Sequence, residues 1–478
     1  MKLFISFLLI SVFYYSHGQN WKAFGVMNNV PTCFYEDTIN DRFIIGGRFS
    51  IFNSDTAAGV ISWDGNNFSR MGCGFDWNCL LSTINPSGVY PPPGDFCFYK
   101  GVLYATGGFD LAGGKPAFGL AYWNGTNWEP LLPGLTYADG ISKGLGFTLR
   151  VINDELYVCG FFQKCMGIEA NSIAKFDGIT WKSVYDIPRF SSSPSFISDV
   201  AYYKGYLYVA GDFFDESNMG GDIWDIVRYN GSDWESVGGG IKGGISSVDR
   251  MVVYKDKLYM AGNMNKQFGN PGNGIAAWDG EKWDDVGGGI YYNGETHIAD
   301  MIVNDNKLYV VGDLSYAGGI PASDIAVWDG KNWCGMGTRP STFDNRVSRL
   351  GTYRDTIYIG GGFWSVDGDS SISRIAKWIG GDYVEECGNT TGNPPQPEKE
   401  ELLVYPNPSA DRFTIVLPDG FSGIFNVYNS IGQLIKEGKS GTGNSIEVDL
   451  SGNATGLYFV QLVEKKSGEI KTIKFMLR

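Results

Sequence analysis

The chain has 478 residues, is rich in Gly (67), Phe (30), Tyr (27) and Trp (14), and carries a formal net charge of −14. This length allows two or three domains. The acidic balance argues against nucleic acid and anionic membranes as partners, because both are bound through basic patches.

Residues 1–18 have the form of a signal peptide. Lys2 supplies the positive charge, residues 3–15 supply an apolar run, and Ser16 to Gly18 supply small residues for cleavage. The apolar run is too short to anchor the chain in a bilayer. We therefore expect Sec export, a mature chain that begins at Gln19, and no transmembrane segment in that mature chain.

One pattern returns seven times between residues 21 and 388. Its fullest copy has the apolar segment Leu258–Ala261, then Gly262, a polar loop, the segment Ile275–Trp278, and a turn that opens with Asp279-Gly280. The glycine recurs at residues 160, 211, 262 and 312, in steps of 51, 51 and 50. Each copy contains four short segments of β-branched and aromatic residues, which predict four strands. Asp-Gly suits the last turn, because tight hairpins need positive φ.

A unit of about 50 residues with four strands is typical of one propeller blade. The repeats, with a Gly after an aromatic-bearing strand and a Trp later, resemble kelch and galactose-oxidase-type propeller repeats. The sequence thus predicts an all-β fold, with a seven-bladed β-propeller over residues 19–388. We expect Trp21–Gly25 to join the sheet of the last unit, although Tyr383–Cys387 competes for that place.

The composition changes after residue 388. Residues 389–401 form a Pro-rich polar linker, and residues 402–478 predict a small immunoglobulin-like β-sandwich. This segment resembles the C-terminal sorting domain of the type IX secretion system of Bacteroidota. The resemblance implies the type IX secretion machinery as a partner and a product that is secreted or attached to the outer surface. It rests on motifs that include Tyr405, Pro406, Asn407, Pro408, Gly432, Gly456 and Tyr458.

The chain has eight cysteines, and export permits disulfides. Two pairs of cysteines each bracket a short loop, and another two cysteines lie near the ends of the repeat region. No Cys-x-x-Cys motif occurs, which argues against zinc, and we expect no metal site and no cofactor. The disulfide candidates are Cys73 with Cys79, Cys159 with Cys165, and Cys33 with Cys387, while the pairing among Cys33, Cys97, Cys334 and Cys387 stays open.

The loops between the second and third strands differ from unit to unit, and one connection between units, residues 72–95, is unusually long. Variation on a rigid scaffold is where function usually resides, so we expect a binding face here. Exposed aromatic rings on this face would stack on sugars, whereas the strand residues Trp63, Trp123, Trp278, Trp328 and Trp378 are expected in the core. The ligand-binding candidates are Asp76, Trp77, Tyr90, Asp215, Trp224, Tyr291, Tyr292 and Trp364.

His297 is the only histidine of the expected mature chain, and we interpret it as a loop residue. Its isolation removes histidine-based metal sites and Ser-His-Asp triads. Carboxylate chemistry survives, because a pair of acids about 5–9.5 Å apart is enough to hydrolyse glycosides. The acids near strand ends or loops are Asp110, Asp199, Asp215, Asp249, Asp300 and Asp313.

No catalytic constellation is recognisable, so the sequence favours a secreted or cell-surface module that binds carbohydrate or protein without catalysis. We assign no catalytic residue. The alternative is a polysaccharide-acting hydrolase or lyase that uses carboxylates on the variable-loop face. A third hypothesis is a structural component of a surface layer or an adhesion assembly. Acids that converge in a central pocket with raised pKa values would favour the enzyme.

Overall fold

The chain divides into two compact units, Met1–Asn265 with Asn270–Asn389, and Lys266–Gly269 with Thr390–Arg478. The described residues contain strands, turns and bends and no α-helix, as expected of an all-β chain. The computed structural model describes residues 20–75, 92–184, 196–214, 224–241, 248–266, 269–292, 296–336, 346–366, 368–380, 403–405, 409, 411–417, 422–429, 432–440, 445–465 and 470–477.

Seven four-stranded antiparallel sheets, numbered here in chain order, lie in the described part of the first unit. In each sheet the first, second, third and fourth strands pair in that order, and no sheet closes on itself. Sheet 1 has Pro31–Asp37, Arg42–Gly47, Val60–Trp63 and Phe68–Arg70; sheet 2 has Pro93–Tyr99, Val102–Gly107, Leu120–Trp123 and Trp128–Pro130; sheet 3 has Leu145–Ile152, Glu155–Phe161, Ile173–Phe176 and Trp181–Ser183; sheet 4 has Phe196–Tyr203, Tyr206–Phe214, Trp224–Tyr229 and Trp234–Ser236; sheet 5 has Arg250–Tyr254, Lys257–Ala261, Ile275–Trp278 and Trp283–Asp284; sheet 6 has His297–Asn304, Lys307–Asp313, Ile325–Trp328 and Trp333–Gly335; sheet 7 has Val347–Tyr353, Thr356–Gly361, Ile375–Trp378 and Trp21–Ala23.

Two-residue strands form small hairpins and three-stranded patches beside these sheets. They follow the second strand of a sheet or precede the first strand of the next. They are Ile51–Phe52 with Asp55–Thr56, Leu111–Ala112 with Lys115–Pro116, Leu135–Thr136 with Lys164–Cys165 and Ile168–Glu169, and Ile290–Tyr291 with Tyr316–Ala317 and Ile320–Pro321.

The outer strand of sheet 7 comes from the start of the repeat region. Trp21–Ala23 pairs antiparallel with Ile375–Trp378, with Trp21 opposite Trp378, so the predicted pairing is confirmed. The two indoles meet edge to face, with ring centroids 5.0 Å apart. The competing segment, Tyr383–Cys387, lies outside the described residues.

Neighbouring sheets pack face to face, and their first strands lie side by side. The first strand of each sheet contacts the first strand of the next, and that of sheet 7 contacts that of sheet 1. Aromatic residues fill the space between sheets: the Trp278 indole donates to the Tyr208 hydroxyl of sheet 4 at 3.2 Å. The Trp328 indole donates to Tyr259 of sheet 5 at 3.2 Å. Trp278, Trp328 and Trp378 are buried as expected, whereas Trp63 and Trp123 are only half-buried.

A Tyr-Lys pair after the first strand also links neighbouring sheets. The Tyr254 hydroxyl donates to the carbonyl of Asn306 in sheet 6 at 2.7 Å. The next residue, Lys255, has positive φ (43°) and donates to the carbonyl of Asp329, also in sheet 6. Tyr353 and Arg354 make the equivalent contacts from sheet 7 to sheet 1. The other two pairs are Tyr99-Lys100 and Tyr203-Lys204.

Two recurring residues mark the described ends of the loops between second and third strands. A buried apolar residue lies at the end of the second strand or shortly after it in every described sheet, and a residue with positive φ precedes or opens the third strand. Glycine meets the positive-φ requirement at three of these positions without steric cost. The buried series is Phe49, Phe109, Phe162, Phe213, Met264, Leu314 and Phe363, and the positive-φ series is Gly59, Gly119, Ser172, Asp225, Gly274, Asp324 and Arg374.

The predicted disulfide between Cys159 and Cys165 is wrong, because both residues are free thiols. Cys159 lies in the core between sheets 3 and 4, and Cys165 lies in the core between sheets 2 and 3. The two thiols are therefore on opposite sides of sheet 3. Cys33 is also free, so its predicted bond to Cys387 is wrong. Cys79 and Cys387 lie outside the described residues, and the bond from Cys73 to Cys79 stays a prediction.

The second unit contains two antiparallel sheets around one core. Val404, Phe413, Phe425, Val460 and Phe475 belong to a single buried cluster that joins both sheets, which gives the two-layer arrangement predicted for this segment. One sheet has Leu403–Tyr405, Arg412–Val416 and Ser445–Asp449, and the other has Leu434–Lys439, Gly423–Asn429, Gly456–Glu464 and Ile470–Leu477.

Removal of one Tyr-Lys link should measure what it contributes to the fold. In Tyr254→Phe the ring stays and the hydrogen bond to Asn306 is lost, so the free energy of unfolding should fall by about 1 kcal/mol. Chemical denaturation of the mature chain measures the change. The matched control is Tyr202→Phe, whose exposed hydroxyl makes no hydrogen bond to a described residue, and which should leave stability unchanged. Equal stability of both variants would contradict the role assigned to the link.

Candidate functional site

A cavity of about 640 Å³ lies where the first strands of sheets 1–7 begin. In sheets 1, 2, 3, 4, 6 and 7 the first strand has a β-bulge near its start. A bulge adds one residue and turns its side chain away from the regular alternation. These residues, together with Asp249 of sheet 5, line the cavity. They are Thr32, Gly94, Phe147, Ser198, Asp249, Ala299 and Ser348.

The residue that follows each of these positions belongs to a second layer beneath the cavity. In sheets 2, 4 and 6 it is an aspartate: Asp95, Asp199 and Asp300, here called the ring carboxylates. Asp199 accepts the backbone N–H of Val200 in its own sheet and that of Met251 in sheet 5, both at 2.9 Å. Asp95 and Asp300 bind sheets 3 and 7 in the same way. Each ring carboxylate thus joins the backbones of two sheets.

In sheet 5 this residue is Arg250, whereas in sheet 3 it is Thr148, and Arg150, two residues further along, supplies the positive charge. Arg150 pairs with Asp95 at 3.0 Å and with Asp199 at 3.2 Å. Arg250 pairs with Asp300 at 3.1 Å and donates to the Thr148 hydroxyl at 2.8 Å. Negative charge in sheets 2, 4 and 6 therefore alternates with positive charge in sheets 3, 5 and 7.

The alternation fails between sheets 7 and 1. Arg349 of sheet 7 donates to the backbone carbonyls of Thr32 and Ser348, and it forms no ion pair with a carboxylate among the described residues. The residue of sheet 1 at the ring position is Cys33, a buried neutral thiol whose pKa is raised by burial. Burial, and then the charge of Arg250, lower the pKa of Arg349. This guanidinium therefore lacks the partner that Arg150 and Arg250 have.

The charged side of the cavity mouth is built by sheets 5 to 7. The Nε2 atom of His297 contacts Asp249, and its Nδ1 atom contacts the Arg346 guanidinium. A guanidinium only donates, so Nδ1 accepts and the ring proton sits on Nε2, directed at Asp249. Arg346 also pairs with Asp313 at 2.8 Å. Burial raises the pKa of Asp249 to about 6. His297 begins the first strand of sheet 6, so its interpretation as a loop residue is wrong.

The opposite side, at sheets 3 and 4, is aromatic. Phe196 stacks on Phe147 with centroids 5.0 Å apart and on Phe161 at 4.6 Å. Tyr137 meets Phe161 edge to face at 5.6 Å. Phe196 is 39% exposed and lines the cavity with Phe147. The aromatic surface of Phe147 and Phe196 is therefore accessible there for contact with a planar or apolar ligand surface.

Asp324 lies outside this cavity and has an unusual environment. It holds a positive φ of 58° before the third strand of sheet 6. Burial, and then the nearby Asp313, raise the pKa of Asp324 to about 7. Burial also raises the pKa of Asp313. Asp313 pairs with Arg346, which lines the cavity. Two carboxylates with raised pKa values therefore lie next to the cavity.

The three predicted ligand-binding residues whose side chains are described do not line the cavity. Tyr291, Tyr292 and Trp364 are 38%, 45% and 51% exposed, but none lines it; Trp364 instead lies under the Arg374 guanidinium at 4.2 Å. Their role in binding stays a prediction. Five further candidates have no described side chain: Asp76, Trp77, Tyr90, Asp215 and Trp224.

The cavity and the ring carboxylates were missed as a set, although the sequence contains a signal for them. Asp95, Asp199 and Asp300 are spaced by 104 and 101 residues, which is two repeats each time. Arg250 and Arg349 occupy the same place in the repeats between and after them. Alignment of the repeats on their first strands, rather than on their glycines and tryptophans, would have placed one charged residue at the start of five first strands.

Comparison with known proteins identifies one segment. Residues 403–476 match the model of the secretion system C-terminal sorting domain. The chain is therefore exported by type IX secretion to the cell surface or the outside of the cell. The match covers the tail alone, so the resemblance of residues 21–388 to kelch repeats stays a prediction. Pro406, Asn407 and Pro408 of the predicted motif lie outside the described residues.

Two other motif residues of the tail have clear structural roles. Tyr458 is buried and its hydroxyl donates to the carbonyl of Ala454 at 2.6 Å; its ring lies 5.6 Å from that of Phe475. Gly432 has a φ of 77°, which favours glycine.

No helix among the described residues is long and apolar enough to cross a bilayer.

A search of curated proteins gave no match. Among solved structures, PorZ of Porphyromonas gingivalis, described as an essential surface component of the type IX secretion system, aligns at 14% identity over 92% of this chain and 58% of that chain, with a TM-score of 0.39. Two structures of the extracellular domain of BT4673 from B. thetaiotaomicron align at 11% and 12% identity over 94% of this chain and 57% and 56% of those chains, with TM-scores of 0.43 and 0.44. The chain thus spans less than two thirds of the length of these proteins, and its architecture rests on its own strand pairing.

The raised pKa of Asp324 makes a prediction about stability and pH. A folded-state pKa above the unfolded value stabilises the fold fully at low pH, and this contribution is lost as pH rises through about 7. Asp324→Asn keeps the shape and tolerates positive φ. The variant should match the wild type near pH 4 and exceed it in melting temperature at pH 8. Asp233→Asn, which changes an exposed turn residue, is the control; a difference between Asp324→Asn and wild type that does not grow with pH would contradict the prediction.

Proposed function

We propose that the unit built from sheets 1–7 is a seven-bladed β-propeller, displayed at the cell surface or released, that binds a carbohydrate or protein ligand in its central cavity without catalysis. The propeller is supported by contacts between first strands. Each described sheet contacts the next through its first strand, and sheet 7 contacts sheet 1 in the same way. The outer strand Trp21–Ala23 in sheet 7 supports it further, because it ties the two ends of the repeat region together.

The observation that carries the binding proposal is the division of one cavity into an aromatic and a charged side. Phe147 and Phe196 offer ring faces, while Arg346 and Arg349 offer hydrogen-bond donors in the same space. Small-ligand sites are typically concave pockets of roughly 300–1,000 Å³ with a few convergent polar groups, and the cavity of about 640 Å³ falls in this range. Type IX export places such a site where it meets extracellular ligands.

The absence of catalysis is supported by what the acids already do. Asp199 and Asp300 each hold two backbone N–H groups and an arginine, so neither is available to attack a substrate or to move a proton. A hydrolase or lyase remains the second candidate because of one observation: Asp249, with a pKa raised to about 6, contacts His297 at the cavity mouth.

Phe196→Ala tests the site of binding. The variant removes the exposed stacking face, so binding of the wild type's ligand, found on a glycan array and measured by calorimetry, should weaken by about tenfold or more, since one stacked ring contributes roughly 0.5–1.5 kcal/mol beyond its buried area. Trp364→Ala tests the loop face in parallel. Tyr202→Ala, an exposed ring outside the cavity, is the control. Loss of binding in Trp364→Ala alone would move the site to the loops.

Asp249→Asn separates a binding protein from an enzyme. It removes the acid with the raised pKa and keeps its shape. For a binding protein, incubation with polysaccharides should release no new reducing ends or unsaturated sugars in wild type or variant. Turnover by the wild type that Asp249→Asn abolishes, with ligand still bound, would establish the second candidate.

A further inference from the structure

We propose that the side of the central cavity formed by sheets 7 and 1 binds the acid group, carboxylate or sulfate, of an anionic oligosaccharide. Arg349, Arg346 and Arg48 act as donors, and Phe147 and Phe196 supply the aromatic surface against which a sugar ring packs. This inference rests on the proposed binding function and names the class of its ligand. It begins from the charge pattern beneath the cavity.

Seven is an odd number, so an acid and a base cannot alternate around seven sheets without one break. The ring carboxylates occupy sheets 2, 4 and 6, and arginines occupy sheets 3, 5 and 7. Sheet 1 contributes Cys33 at its ring position, next to Arg349 of sheet 7. The junction between sheets 7 and 1 is therefore the one described junction at which an arginine meets a neutral residue instead of a carboxylate.

The cavity above this junction carries further positive charge. Among the described lining residues, Arg48, Arg250, Arg346 and Arg349 stand against Asp212 and Asp249, in a chain whose net charge is −14. Arg48 is exposed and lies in sheet 1, directly after the second strand. Arginine is suited to acid groups because its planar fork donates two parallel hydrogen bonds to carboxylate or sulfate oxygens.

Two of these guanidinium groups are held in an environment that an anion would improve. Burial lowers the pKa of Arg346, and burial with the repulsion of Arg250 lowers the pKa of Arg349. The Nε–H of Arg346 is buried without a hydrogen-bond partner among the described residues. An unpaired buried donor is costly, and an acid group at the accessible part of the guanidinium would offset its positive charge.

The rest of the cavity fits a sugar attached to that acid group. Phe196 and Phe147 line the far side, and sugar rings present C–H faces that stack on aromatic rings. His297 holds Arg346 from below through Nδ1, so the guanidinium is oriented before the ligand arrives. The two sides together select an acid group and a ring within one small molecule, rather than an inorganic anion alone.

Calorimetry with short acidic oligosaccharides tests the proposal. The probes are trigalacturonate, its methyl ester, which is neutral, and a sulfated trisaccharide. We expect the wild type to bind at least one acidic probe and to bind the methyl ester at least about tenfold more weakly. Its affinity for the acidic probe should fall as salt is raised, since the contact is between charges. Preference between the first and third probes distinguishes carboxylate from sulfate.

Arg349→Gln and Arg48→Gln should each weaken binding of the acidic probe by about tenfold, with binding of the methyl ester unchanged. Arg48 is exposed, so its variant tests the site even if Arg349→Gln fails to fold. Arg70→Gln, an exposed arginine on the last strand of sheet 1, is the control and should bind as the wild type does. Equal affinity for acid and methyl ester would overturn this inference and leave the proposed function standing; binding of a protein and of no oligosaccharide would also overturn it; binding of nothing would overturn both.

Discussion

The inner edge of the sheet assembly depends on one interaction: a carboxylate on the first strand that accepts backbone N–H groups from two sheets. Asp199 is the clearest case, with one oxygen on Val200 and the other on Met251 of the next sheet. Hydrogen bonds to charged groups are worth roughly 1.5–3 kcal/mol, more than those between neutral groups. Because each carboxylate holds the backbones of two neighbouring first strands, the ring carboxylates fix how these strands lie side by side beneath the cavity.

This arrangement makes stability and binding hard to separate at the cavity floor. Asp199 is fully buried, and a buried charge is tolerated only when paired and hydrogen-bonded. Arg150 supplies the countercharge for two ring carboxylates at once. Arg349 lies in the same layer but forms no ion pair with a ring carboxylate among the described residues. Its guanidinium is therefore suited to bind the acid group of a ligand.

The sequence predicted the periodic features well because each depends on local chemistry. Asp279-Gly280 predicted a hairpin, and the structure has Asp279 accepting two backbone N–H groups with Gly280 at a φ of 107°. The pairing of Trp21 with sheet 7 followed from a strand that had no partner nearby. Short-range spacing failed for the cysteines. Cys165 lies six positions after Cys159, but the chain turns between two strands and presents their side chains to different cores.

The site was harder to predict than the fold, because it is assembled from residues about 50 positions apart. Loop aromatics such as Trp364 were predicted as binding residues one at a time, from their own positions in the sequence. Phe147 and Phe196, by contrast, stack only when sheets 3 and 4 lie side by side. His297 has no sequence neighbour that explains it; Asp249 and Arg346 reach it from the first-strand starts of the adjacent sheets. To predict this site, residues have to be compared by their position within the repeat rather than by their neighbours along the chain.

The net charge of the whole molecule affects which ligands the cavity binds. The surface of a chain with a net charge of −14 repels anions at long range, and this repulsion is screened beyond a Debye length of about 8–10 Å at physiological salt. Attraction to Arg48 and Arg349 therefore acts only close to the cavity, where stacking on Phe196 acts as well. An anion that lacks a ring gains only the first contribution, and a neutral sugar gains only the second. Arg349, which forms no ion pair with a ring carboxylate among the described residues, lines the same cavity as Phe196, so both contributions act in one place.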